Sequence, residues 1–190
     1  MVTERPPRGR LRLSEFHRSD QMLDLPLPSA ESCRTLAAAI EAALSAGDRQ
    51  AVGEACRAFL DELSRFYKVT APPITVLEAR PLRHYEGVGS MELFGDYHPQ
   101  TKTIRVWMRT AVRQKVTSFG TFLSTLCHEF CHHLDYEMLR FRDSYHTRGF
   151  YERVAALYHH ARGTPRKRLV WAPLGPGQWR IDWRSTRLAP

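Results

Sequence analysis

The sequence predicts an α+β fold: helices first, then a short antiparallel sheet with a hairpin, then two more helices. Two observations carry this. Apolar residues recur at helical spacing before residue 70 and again after residue 117. Between them lie short, alternating, β-branched runs bounded by proline and glycine. A chain of 190 residues, 43% hydrophobic and 25% charged, suits one globular domain with its own core.

The elements follow in order. Residues 1–28 are rich in arginine and proline with little periodicity, and read as a flexible basic arm anchored by Leu11, Leu13 and Phe16. Ser29 is a natural N-cap for a helix through Leu36, Ala37, Ile40 and Leu44 that stops at Gly47. Asp48 caps the next helix, with Val52, Ala55, Phe59, Leu63 and Phe66 on one stripe and Pro72 and Pro73 as its end. "ITVLEA" (74–79) reads as a strand. "MELFGDY" (91–97) and "TIRVWM" (103–108) read as a hairpin about "HPQTK", with Gly87 and Gly89 in the preceding loop. From Phe119 the period is helical again: Phe119, Leu123, Leu126, Phe130 and Leu134 form one ridge. A last helix covers about 147–161, with Phe150, Val154, Leu157 and Tyr158 inward. The domain so defined is 29–161, and 162–190 is a basic tail carrying Trp171, Trp179 and Trp183.

Composition excludes some classes. The opening "MVTERPPRGRLRL" lacks the apolar core of a secretory signal, so the expected location is cytoplasmic. The longest uncharged stretch, "VTSFGTFLSTLC", falls short of the ~20 apolar residues of a membrane span. Cys33, Cys56, Cys127 and Cys131 show no CxxC spacing and are expected as free thiols. The net charge of +8 is nearly all arginine, 24 of 28 cations, which base composition alone can produce. DNA is therefore only a secondary partner candidate. Its cue is the tail, where seven cations and three tryptophans could hold a single strand. The simpler expectation is that the tryptophans pin the tail to the core.

The chemistry concentrates in "TLCHEFCHHLDY" (125–136). His128-Glu129-Phe130-Cys131-His132 is an HExxH pattern. On a helix, residues four apart share a face, so two imidazoles can chelate one metal ion. Glu129, one residue round, can take a proton from a water that the ion activates. The apolar ridge lies about 200° away, so one face packs while the other opens to a cleft. Cys127 and Cys131 point about 100° off and read as small buried residues. His133 is off the metal face and reads as surface or as support for a ligand. A catalytic zinc usually has three protein ligands. Asp135, Glu152 and His146 are the candidates, although Asp135 lies ~10.5 Å along the axis from His128.

The order of strand, hairpin, HExxH helix and then "HTRGF" opening another helix resembles the SprT-like family of zinc metallopeptidases. The resemblance covers about residues 74–160, and "CHEFCHH" and "HTRGF" are its most specific pieces. It implies a small zincin-like domain holding one Zn²⁺ through His128, His132 and His146, with Glu129 as general base. The family's cysteine-rich zinc ribbon has no counterpart here, and Thr147 stands where the family usually has glycine. Two further points favour His146 over Glu152. His146 sits where the chain enters the last helix, so it can turn back on the preceding one. The "NExxSD" context that accompanies a ligand at the position of Glu152 is missing from "YERVAA". The expected function is a zinc-dependent metallopeptidase acting on a protein or peptide substrate. Tyr145, Arg148 and Tyr151 are candidates to steady the oxyanion. The alternative is a nucleic-acid-associated or peptide-binding protein with a non-catalytic metal site.

Overall fold

The structure, a computed structural model, describes residues 1–85 and 89–188. Gly87 lies outside the described residues. Among the described residues, six helices and three small sheets make a mixed α and β architecture, and no helix is long and apolar enough to cross a membrane.

The first core helices form where the caps predict. Ser29 accepts from the Ser32 amide to open α2 (Ala30–Ala46), which ends at Gly47 with φ 68°. That left-handed angle suits glycine, which has no Cβ to clash. Asp48 then accepts from the Ala51 amide to open α3 (Arg49–Tyr67). Val52, Cys56, Phe59, Leu60 and Leu63 are buried, whereas Phe66, expected on the stripe, is exposed. Lys68, at φ 56°, ends α3 before the prolines are reached.

The sheet corrects one expectation. β1 (Ile74–Ala79) pairs parallel with β5 (Thr103–Arg109), and β4 (Gly95–His98) pairs antiparallel with β5. The strand order is β1-β5-β4, so the sheet is mixed. Alternation fixes which face of a strand is buried and is silent on its direction. Direction comes from the connection, and residues 80–102 are long enough for the crossover that a parallel pair needs. Part of that connection forms its own ribbon, β2 (Leu82–Tyr85) with β3 (Gly89–Glu92). "MELFGDY" is thus split between two pairings, and only its last three residues enter the predicted hairpin.

Ser118 caps α4 (Phe119–Glu137), and Leu123, Leu126, Phe130 and Leu134 pack into the core below. Thr147 caps α5 (Arg148–Arg162), which Gly163 ends at φ 70°. All four cysteines are free and buried in or beside this core.

Residues 1–28 are not a loose arm. They contain α1 (Arg10–Gln21), with Phe16 and Ser19 buried. A Cβ on Gly149 of α5 would strike the Ser19 carbonyl and come within 2.9 Å of the Met22 and Asp20 carbonyls, so α1 crosses α5 where there is no side chain. Arg153 is 1% exposed. It donates to the carbonyls of Ser19 (3.1 Å) and Met22 (2.8 Å) and to Asp135 of α4 (2.8 Å).

The tail also folds. β6 (Trp171–Gly175) and β7 (Gln178–Ile181) form a hairpin, followed by α6 (Trp183–Leu188). Trp171 packs on the core and on Tyr151, and Trp179 lies under the Arg148 guanidinium at 4.7 Å. Trp183 stays exposed.

Removing one partner from a buried, hydrogen-bonded ion pair leaves an uncompensated charge. Arg153→Met should therefore lower unfolding stability by about 3–5 kcal/mol. Urea denaturation checks this; a loss under about 1 kcal/mol would show that the pair adds nothing to the docking of α1.

Candidate metal centre

The centre is assembled by α4, the loop after it and the first turn of α5. His128 and His132 are one turn apart on the side of α4 opposite the packed ridge. The chain leaves α4 at Met138 and returns through Ser144 to His146, just ahead of the Thr147 cap. Thr147 is fully buried; its hydroxyl accepts from the Phe150 amide and lies 2.9 Å from Ser19 Oγ. That pins the junction and aims His146 back at α4.

The three Nε2 atoms converge. His128 to His146 is 2.9 Å, His132 to His128 is 3.2 Å, and His132 to His146 is 3.2 Å. Nitrogen ligands at about 2.0–2.1 Å in a tetrahedral array lie about 3.3 Å apart, so this triangle fits a zinc-sized cation. Among the described residues these three are the one group of histidine, cysteine or carboxylate donors close enough to share an ion. Phe150 closes the floor, its ring centroid 4.9, 4.5 and 5.2 Å from those of His128, His132 and His146.

Hydrogen bonding sets which nitrogens carry protons. Ser144 Oγ donates to Asp135 Oδ2 at 2.7 Å, so it accepts from His132 Nδ1–H at 2.7 Å. His146 Nδ1–H donates to Glu4 Oε1 at 2.8 Å. Both rings then present the Nε2 lone pair inward, as metal ligation requires. Burial above all holds the His128 pKa down to about 3 and keeps His132 well below the usual histidine range. Both rings are accordingly neutral.

Glu129 is 5% exposed and lies beside the triad. Burial, reinforced by the Asp96 charge, pushes its pKa up to about 8. A Cβ at Gly95 of β4 would sit 2.6 Å from Thr125 Cγ2 and 3.1 Å from Glu129 Oε1. The bare glycine lets the edge strand ride over α4 at that carboxylate. A groove of about 690 Å³ passes here, lined by Leu93, Phe94, Ser124, Thr125, His128 and Glu129 among others.

The other candidates fall elsewhere. Asp135 acts on His132 through Ser144, as its distance along the helix suggests. Glu152 is buried away from the histidines; it takes ion pairs from Arg166 and Arg168 and accepts from the Leu169 amide. His133, expected at the surface or behind a ligand, is fully buried: Nε2–H donates to the Thr70 carbonyl and Nδ1 accepts from Tyr97 OH. Tyr145 bonds Asp143, Arg148 pairs with Asp20, and Tyr151 OH donates to the Val2 carbonyl. None of these three aims its polar group into the cleft. Tyr136, which the sequence reading passed over, does line it, beside Glu129, His132 and His146. Ser144 and Glu4 were also passed over. Ser144 had a signal in its place two residues before His146, but Glu4 had none, lying 142 residues away.

No family model matches the chain, and neither a curated protein nor a solved structure matches it.

The geometry separates two candidate third ligands. His146→Ala should weaken zinc binding by at least about 100-fold in a competition titration against a chromogenic chelator, because a ligand is lost. Glu152→Ala should leave zinc affinity within about threefold and instead lower thermal stability, because Arg166 and the Leu169 amide lose a buried acceptor. The reverse ranking would move the metal site to α5.

Proposed function

We propose that this chain is a zinc-dependent metallopeptidase of SprT-like, zincin-like type. The observation that carries the reading is the convergence of three Nε2 atoms beside one buried carboxylate on the open side of α4. A structural zinc is closed by four protein ligands, whereas a catalytic zinc keeps a position for water. The described residues supply three ligands and a base.

His128, His132 and His146 would hold the ion. Zinc bound there supplies Lewis acidity, lowering the pKa of a coordinated water and polarising a substrate carbonyl. Glu129 takes the proton of the attacking water and returns it to the departing amine. Burial makes it a stronger base than a surface carboxylate, which suits proton transfer near neutral pH. β4 is the edge of its sheet, so an extended peptide can add to it as a further strand along the groove. Substrate would then cross Gly95 directly above Glu129.

The nucleic-acid reading draws less support. Arg166 and Arg168 of the basic tail pair with Asp24 and Glu152.

Glu129→Gln tests the proposal. It removes the base and no ligand, so zinc should remain near one per chain while hydrolysis of an unstructured protein such as casein falls by about 10²–10⁴. Activity that survives the substitution would sink the peptidase reading. A zinc-loaded wild type inert on every substrate would leave a peptide-binding protein.

A further inference from the structure

Residues 1–4 run as an added strand on the C-terminal hairpin. The Thr3 amide donates to the Trp179 carbonyl at 2.8 Å, and the Ile181 amide donates to the Met1 carbonyl at 3.1 Å. Val2 lies opposite Arg180 in an antiparallel bridge. The Trp179 amide donates to Thr3 Oγ1, and Gln178 Nε2 donates to the Thr3 carbonyl. On the other side, Tyr151 OH donates to the Val2 carbonyl. This strand delivers Glu4 to His146 through three contacts. The Glu4 amide donates to the His146 carbonyl at 2.9 Å, and Glu4 Oε1 accepts from both His146 Nδ1–H (2.8 Å) and the His146 amide (3.2 Å).

We propose that Glu4 is a positioning residue for the third metal ligand, and that the β6–β7 hairpin tunes metal affinity by holding the strand that carries it. The inference rests on the three histidines being the ligand set. A ligating imidazole needs its second nitrogen bonded, because that bond fixes the tautomer and raises ligand basicity. His132 obtains this from inside the core, through Ser144 and Asp135. His146 obtains it from residue 4, which is held by residues 178–181. The tail, read from sequence as a basic segment pinned to the core by its tryptophans, thereby becomes part of the metal site at one remove.

Gly177 offers an independent handle. It turns the hairpin at φ 67°, and a Cβ there would lie 2.5 Å from Pro6 Cγ. Gly177→Val should push the segment off the hairpin without touching any residue of the centre.

The experiment is zinc competition titration of the full chain, with the thermal midpoint of the zinc-free protein measured alongside. Glu4→Ala should weaken zinc binding about 10–100-fold with the zinc-free midpoint unchanged. Glu4→Gln, whose amide oxygen still accepts from Nδ1–H, should recover most of that loss. Gly177→Val should weaken zinc binding in the wild-type background and add nothing in the Glu4→Ala background, since both act through one contact. Glu4→Ala affinity within twofold of wild type overturns the proposal. So does an affinity loss matched by a fall in the zinc-free midpoint, which makes Glu4 merely structural. Additive effects of the two substitutions also overturn it. A wild-type chain that binds no zinc overturns this inference together with the metal reading; zinc binding that ignores Glu4 overturns this one alone.

Discussion

One buried carboxylate ties the fold to the site. Asp135 has no exposed surface, and neither does its partner Arg153 beyond 1%. Burying two charges costs several kcal/mol per ion unless every polar atom finds a partner. Here the partners are found across the molecule. Asp135 Oδ1 accepts from Arg153, and Oδ2 accepts from Ser144. Arg153 spends its remaining donors on Ser19 and on the Met22 carbonyl. Burial alone would push the Asp135 pKa up, and the Arg153 charge and the Ser144 hydroxyl oppose that. α1, α4, α5 and the ligand-bearing loop all meet at this pair. Loss of α4 or α5 would strand a charge, and loss of α1 or the loop would leave the pair's remaining polar atoms without partners, so the set docks together. The same Oδ2 atom fixes the tautomer of His132, and the chemistry of the centre is thus set by a core interaction.

The local signals were legible in the sequence, and the non-local ones were not. Ser29, Asp48, Ser118 and Thr147 are each followed by a helix, because a side-chain acceptor and a free amide three residues on are enough to start one. The HExxH pair was readable for the same reason: four residues on one helix need no tertiary knowledge. α1 was missed because its stripe is thin. Leu11 is exposed and Gly9 gives no side-chain cap. Its place is held by polar contacts to residues more than 120 positions away, which periodicity does not register. The parallel pairing of β1 with β5 was missed because alternation says nothing of direction. The family resemblance rests on two short motifs, and no family model matches the chain.

The sequence favours His146 over Glu152 as third ligand, and the helix boundary divides the two residues. His146 precedes the Thr147 cap, in backbone free to turn towards α4. Glu152 is inside α5, so its direction is fixed by the helix, about 120° round from where a ligand would stand. Buried there, it needs cations, and Arg166 and Arg168 supply them. This also accounts for two of the tail's seven cations. The Arg168–Asp24 pair is well exposed on both sides and adds little, whereas Arg166 reaches a carboxylate that is 4% exposed. Two arginines of the basic tail are thus in part the counter-charge of one buried acid.

The three histidines differ in how they are placed, and that difference shows what α1 is for. His128 and His132 take their spacing from α4 itself, at no cost beyond forming the helix. His146 must be brought back by residues 138–147, a segment with no regular structure of its own. α1 lies along that segment and grips it repeatedly. Arg18 donates to the Leu139 carbonyl at 2.7 Å and covers the Phe141 ring at 4.4 Å. Glu15 accepts from the Arg142 amide, and Phe16 meets Tyr145 edge-on at 5.6 Å. Ser19 meets Thr147, and Asp20 holds Arg148 at both its backbone amide and its guanidinium. Successive residues of one helix therefore fix successive residues of the loop. Loop-closure entropy opposes the return of His146, and these contacts oppose it in turn. A segment that reads from sequence as a flexible arm is the template on which His146 is set.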